Sequence, residues 1–263
     1  MTNNSGLGPL VLAGSGEYTP MMDIVDRYLI DLCGGRPVIL IATSCAQEGD
    51  DVMTRWEQMG VAHFKRLGVD AEPLRIRDNS EADIPETAER IAAAGIVWFS
   101  GGSPAYLAQS FHQTRSWLAL ESANRAGAAV AGASGGLGVL NDHVPAPPPP
   151  PQANGVRPAE LPPYAGPNAL GLSAPLRALA HFDRMEARRP EFVERIVSNL
   201  QPGQMAVGVD EDTAVVWTEG AWRAMGHKRV VVFGSGGSRS VYGNGDRVDL
   251  LPPPLRAQPP VAK

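Results

Sequence analysis

Short, wholly apolar runs alternate with longer stretches of helical spacing over the first half of this chain. Pro9–Ala13 (PLVLA), Pro37–Ala42 (PVILIA), Gly95–Phe99 (GIVWF) and Ala128–Ala131 are continuous small or branched apolar runs. Such runs are expected of strands covered on both faces. Ala71–Ile76 reads as a further strand. Met21–Cys33 carries apolar residues at Met22, Ile24, Val25, Leu29 and Leu32, a helical period that Gly34-Gly35 stops. Met53–Leu67 and Ile84–Ala94 read as helices, the second with Pro85 in its first turn, and Tyr106–Ala126 as one or two more. Strand and helix alternating in this way predict an α/β fold. Its core is a three-layer, doubly wound, mostly parallel sheet with right-handed crossovers.

Beyond residue 143 the pattern changes. Val144–Pro167 holds the run Pro147–Pro151 and further prolines, which exclude both helix and central strand. This stretch reads as an extended insertion, either inert or a lid. Leu176–Ala180 is a short apolar run. Pro190–Leu200 puts Phe192, Val193, Ile196 and Leu200 on one helical face. Met205–Val209 is a strand. Thr213–Thr218, Ala221–Met225 and Arg229–Phe233 alternate with turns and read as a meander finishing the sheet. A single domain over residues 9–240 is expected, with residues 1–8 and 251–263 as disordered tails.

Composition narrows the classes. The chain has 263 residues, 43% of them hydrophobic, enough for a sizeable core. A formal net charge of −5, with no basic run, argues against nucleic-acid binding. The start MTNNSGLGP lacks the features of a signal peptide, and no apolar run nears the ~20 residues of a membrane helix. A soluble, cytoplasmic protein without a membrane partner is expected. Cys33 and Cys45 have no metal-ligand spacing and read as buried small hydrophobes. No cluster of His, Cys and carboxylates has ligand spacing, so no metal or organic cofactor is implied.

Gly127–Gly138 (GAAVAGASGGLG) is the stretch with chemistry in it. Gly132-Ala133-Ser134-Gly135-Gly136 fits G-x-S-x-G, the turn that lifts a serine hydroxyl above the carboxyl edge of a sheet. The Gly135 N–H then stands at a helix N-terminus, where it can stabilise a negative oxygen. Gly-rich loops also follow strands at Gly14 and Gly101, and all three should open on one edge. A serine nucleophile needs a base and an orienting acid. The residues alone leave both open. His63 and His112 lie within helical patterns, His143 is close to Ser134 in sequence, and His227 sits in a turn. His181 follows an apolar run beside Phe182. Asp210, Glu211 and Asp212 follow a strand, and alternation lets only one of Asp210 and Glu211 face a pocket.

The order GSGE, FSGGS, AGASGG, HFDR, GVDEDTAVVW over residues 9–233 resembles peptidase family S51, which includes cyanophycinase and an aspartyl dipeptidase. The resemblance implies a class I glutamine-amidotransferase-like, flavodoxin-like fold and a serine peptidase or amidase. It implies Ser134 as nucleophile, His181 as base, Glu211 as its orienting acid, and Gly102 with Gly135 as the oxyanion hole. The sequence departs from the family in places. Gly135 replaces the usual alanine. Leu179-Ala180 replaces the Asp-Gln of cyanophycinase, and Ser103-Pro104 its Asn-Gln. Cyanophycin is therefore not the expected substrate. A small or acidic peptide or amide is, with Ser103 and Arg184 as candidate contacts and a homodimer kept open as the assembly. Two other readings remain. One is an α/β-hydrolase using Ser134, Asp210 and His227. The other is an inactive domain that binds a metabolite or partner. A glutamine amidotransferase would need cysteine where Ser134 stands.

Overall fold

The computed structural model describes residues 7–141, 170–173 and 176–254. The Pro-rich insertion at 144–167, His143 and the end segments 1–6 and 255–263 lie outside the described residues. The strands are β1 (Leu10–Ala13), β2 (Val38–Ile41), β3 (Ala71–Pro73), β4 (Ile96–Phe99), β5 (Ala129–Ala133), β6 (Leu176–Leu179), β7 (Met205–Val209), β8 (Thr213–Thr218), β9 (Ala221–Gly226), β10 (Val230–Gly234) and β11 (Arg239–Tyr242). The helices are α1 (Asp23–Cys33), α2 (Asp50–Arg66), α3 (Asn79–Ala82), α4 (Pro85–Ala92), α5 (Pro104–Phe111), α6 (Arg115–Arg125), α7 (Gly135–Leu140), α8 (Phe182–Arg188) and α9 (Pro190–Ser198).

Seven strands in the order β3-β2-β4-β5-β1-β8-β9 form the main sheet. The first five in that order run parallel, and β8 and β9 are antiparallel additions. Strand alternation divides the core in two. Leu10 and Leu12 pack with Val97, Phe99 and Val130 against Ile91, Leu107, Leu120 and Leu137, side chains of α4 to α7. Val11 and Ala13 face the other way, against Val25, Leu29 and Phe64 of α1 and α2. The result is a three-layer α/β architecture of flavodoxin-like type.

The expected meander is split between two sheets. β8 and β9 extend the main sheet, but β10 leaves it. It pairs with β7 and β11 in a second sheet of order β11-β10-β7-β6. One face of this sheet, with Val207, Val209, Val230 and Val232, joins the main core. Its other face, with Leu179, Ala206, Val231 and Phe233, is covered by Phe182, Phe192, Val193 and Ile196 from α8 and α9. The packed region also reaches further at both ends than sequence pattern indicated. Leu7 is buried and Gly8 N–H donates to the Asn124 carbonyl. Val248 and Leu251 are buried, and Trp222 Nε1 donates to the Pro252 carbonyl at 2.8 Å. Isolated apolar residues in Gly- and Pro-rich sequence carry no period, so pattern could not find them.

Candidate active site

Four strand ends meet. β4 and β5 of the main sheet end at Phe99 and Ala133, and β6 and β7 of the second sheet end at Leu179 and Val209. Open parallel sheets place ligands at this carboxyl edge. The loop after β1 stitches the two sheets together. His181 N–H donates to the Gly14 carbonyl at 3.1 Å, and Asp212 N–H to the Ser15 carbonyl at 3.1 Å. A Cβ at Gly14 would overlap the backbone of Val209 and Asp210, so this position has room for hydrogen only.

Ser134 sits at φ 51°, ψ −111°, between β5 and α7. A non-glycine residue there is strained and must be held by its surroundings. The glycines on either side permit it. A Cβ at Gly132 would overlap the Gly136 carbonyl, and one at Gly136 would meet the Phe99 carbonyl oxygen at 2.5 Å. α7 therefore starts hard against β5 and β4. His181 is also left-handed, at φ 50°, ψ 39°. Phe182 anchors it: the ring is fully buried, packs on Phe233 at 5.7 Å and lies where a side chain at Gly208 would be.

These placements bring three candidate residues together. Ser134 Oγ is 2.9 Å from His181 Nε2, and His181 Nδ1 is 2.7 Å from Glu211 Oε1. An Nδ1–H donated to Glu211 leaves Nε2 free to accept the Ser134 proton, the arrangement that activates a hydroxyl. Arg184 Nε pairs with the other Glu211 oxygen at 2.9 Å. Glu211 N–H donates to Asp183 Oδ1 at 3.2 Å, and Lys228 Nζ to Asp183 Oδ2 at 2.6 Å. Burial works against charge on Asp183, but Lys228 and the backbone N–H groups outweigh it. Its carboxyl lies below the ordinary value. Asp183 and Lys228 thus brace Glu211 from behind. Sequence reading gave them no role, because their pairing spans 45 residues.

Asp210, next to Glu211, turns away and accepts from Arg229 Nε at 2.8 Å. His227 is exposed in the turn after β9. His63 is buried in α2 with Nε2 2.8 Å from Asp26 Oδ2. His112 stands at the end of α5. Among the described histidines, His181 is the one bonded to Ser134.

Gly102 lies against Gly135, where a Cβ would meet the Gly102 nitrogen at 3.0 Å. The backbones of Gly102 and Gly135 therefore touch, and both residues line the cleft with Ser134. Ser103 caps α5, its Oγ accepting from Tyr106 N–H at 3.3 Å. A cleft of about 490 Å³ opens over Ser134, Gly102, Gly135 and His181. Leu137, Leu179, Met185 and Phe192 wall it, and Arg184, Arg188 and Arg189 also line it. Among the described residues, no group of three or more His, Cys, Asp or Glu converges as a metal site, and no helix is long and apolar enough to cross a membrane.

The family model of peptidase family S51 matches residues 10–225. The chain belongs to peptidase family S51. That match spans every strand end around the cleft. The S51 chain is similar to the crystal structure of a peptidase from an acI-B1 Actinobacterium. Their TM-score is 0.78 and their identity 28%, covering 92% of this chain and 96% of the other. It is also similar in fold to a putative peptidase E from Listeria monocytogenes EGD-e. There the TM-score is 0.59 and the identity 18%, covering 84% of this chain and all of the other. No curated protein sequence matches it.

Proposed function

We propose that this S51 peptidase is a serine hydrolase that cleaves a peptide or amide bond with Ser134, His181 and Glu211. The observation that carries the reading is the hydrogen-bonded line Ser134 Oγ–His181 Nε2–Glu211, at 2.9 and 2.7 Å, opening on the cleft. Ser134 Oγ adds to the carbonyl carbon while His181 Nε2 takes its proton. Negative charge on the carbonyl oxygen is met by the N–H groups of Gly102 and Gly135, each such donor typically worth ~10²–10³ in rate. The tetrahedral intermediate then expels the amine, which takes the proton from His181. Water activated by His181 cleaves the resulting ester, releasing the acid and restoring Ser134.

The substrate reading is a small or acidic peptide-like molecule. Arg188 and Arg189 line the cleft and make no ion pair among the described residues, while Arg184 is paired with Glu211. A substrate carboxylate would therefore meet Arg188 and Arg189 first, with Arg184 contributing through its remaining N–H groups.

The test is labelling by a fluorophosphonate probe, read by intact mass. Ser134→Ala should abolish labelling and His181→Ala should slow it by at least ~10²-fold. Labelling of Ser134→Ala at the wild-type rate would overturn the assignment.

A further inference from the structure

The loop after β1 and the loop after β2 each send one buried side chain to the Gly-Gly segment that follows β4. Glu17, 3% exposed, accepts the Gly101 N–H on Oε1 at 3.0 Å. Ser44, 2% exposed, shares its one hydroxyl proton between the carbonyls of Gly101 at 2.6 Å and Ser100 at 2.8 Å. Tyr18 adds a third tie, its hydroxyl 3.1 Å from Ser100 Oγ, and Ser103 N–H donates to the Ser44 carbonyl at 2.7 Å. Every polar backbone group from the Ser100 carbonyl to the Gly101 carbonyl is thus held. The next group along, the Gly102 N–H, has no acceptor among the described residues.

The consequence follows from peptide geometry. In a trans peptide the N–H points opposite the C=O of the same plane. Holding the Gly101 carbonyl on Ser44 therefore fixes the direction of the Gly102 N–H. Without that hold a Gly-Gly peptide rotates easily, because neither residue has a Cβ to resist. A rotated plane would present a carbonyl oxygen where the donor is needed. Glu17 holds the preceding plane from the other side. Gly101 itself lies against both Glu17 and the nucleophile: a Cβ there would meet Glu17 Oε1 at 3.0 Å and Ser134 Cβ at 3.1 Å. Burial, the largest influence on Glu17, raises its carboxyl above the ordinary value, opposed by the Gly101 N–H and the nearby His181. Such a group is costly to bury unless something is gained from it.

We infer that Ser44 and Glu17 are positioning residues that clamp the Gly101–Gly102 peptide so that the Gly102 N–H faces the carbonyl oxygen under attack at Ser134. This rests on the serine-hydrolase reading above. Neither side chain touches substrate. Both act through the backbone of Gly101 and Gly102, so they set the rate of attack rather than the strength of binding.

The experiment measures kinact and KI for a fluorophosphonate probe on the full chain, with melting followed in parallel. The proteins are wild type, Ser44→Ala, Glu17→Ala, Glu17→Gln and Ser134→Ala. Ser44→Ala and Glu17→Ala should lower kinact by ~10–10²-fold, part of the ~10²–10³ of a lost donor, with KI within about two-fold. Glu17→Gln keeps an oxygen for the Gly101 N–H and should recover most of the rate. Should Glu17→Ala fail to fold, Ser44→Ala, which removes one oxygen, carries the test. Wild-type kinact in Ser44→Ala, or Glu17→Gln as slow as Glu17→Ala, overturns the clamp while an unlabelled Ser134→Ala leaves the serine reading standing. Labelling of Ser134→Ala, or none of the wild type, overturns both.

Discussion

Arg184 and His181 share Glu211, one on each carboxylate oxygen. Oε1 accepts from His181 Nδ1 at 2.7 Å and Oε2 is paired with Arg184 Nε at 2.9 Å. An arginine one turn along the helix that His181 opens therefore reaches back to the carboxylate bonded to His181. The pairing fixes the carboxylate plane, and with it the plane of the imidazole.

This sharing makes Glu211→Gln more damaging than loss of charge alone. An amide has one acceptor oxygen, and Arg184 competes with His181 for it. If the oxygen turns to Arg184, the amide NH₂ faces Nδ1 and the proton moves to Nε2, the wrong side for accepting from Ser134. Turnover or probe labelling should fall by ~10²–10⁴-fold. Adding Arg184→Met should restore part of that loss by freeing the oxygen. A double variant slower than Glu211→Gln would contradict the competition.

His227 lies in an exposed turn and Asp210 is committed to Arg229. His227→Ala should keep probe labelling within about two-fold of wild type, whereas His181→Ala should cost at least ~10²-fold. Parallel time courses under one set of conditions decide between them.

Gly135 packs directly on Gly102. A Cβ here would overlap the Gly102 carbonyl oxygen. Gly135→Ala should therefore push the Gly102 segment away from Ser134 and slow labelling by about 10²-fold, the cost of a displaced donor. Unchanged labelling would show that the two loops give way easily.

Asp26 is fully buried in α1 and accepts from Trp98 Nε1 at 2.8 Å, with His63 Nε2 also at 2.8 Å. Asp26→Ala removes the partner of both and leaves them without water. A cost of about 3 kcal/mol is expected, or roughly 6–12 °C of melting temperature for a domain of this size. Calorimetry gives the shift, and probe labelling well below the transition should stay near wild type.

Cys33 and Cys45 are buried. Burial, with Glu48 nearby, pushes the Cys45 thiol up to about 11. A raised thiol value means the neutral form at pH 8, which is not the nucleophile. The native protein should release no thiol-reagent chromophore at that pH, and two equivalents once denatured.

Much of the architecture was legible because strands buried on both faces are apolar throughout. Leu10–Ala13, Val38–Ile41 and Ile96–Phe99 each fall inside an expected run. The boundary between the sheets was not legible. β8, β9 and β10 follow one another through short turns, which suggests sequential pairing, yet β10 pairs with β7. That choice is made by the packing of Val230 and Val232 into the main core and of Val231 and Phe233 onto α8 and α9, and it leaves no local mark. Around the cleft, Ser134 was conspicuous through its glycines, whereas the residues alone left base and acid open and only the resemblance to family S51, through the HF and DE pairs, pointed to His181 and Glu211. Glu17 and Ser44 were not singled out, since one acid after Gly-Ser-Gly and one serine in a polar loop look like surface residues. Asp26 did leave a signal: it shares the buried helical face of Met22, Leu29 and Cys33, where a carboxylate must have a partner.

Ser134 and Gly102 follow strands of the seven-stranded sheet, and His181 and Glu211 follow strands of the four-stranded one. The cleft is thus a seam. Any opening of the smaller sheet, even one that leaves the larger intact, separates His181 and Glu211 from Ser134. Loss of probe labelling on heating or in denaturant should therefore run ahead of the loss of secondary structure, which makes Ser134 a reporter on the docking of two half-structures rather than on the folding of either.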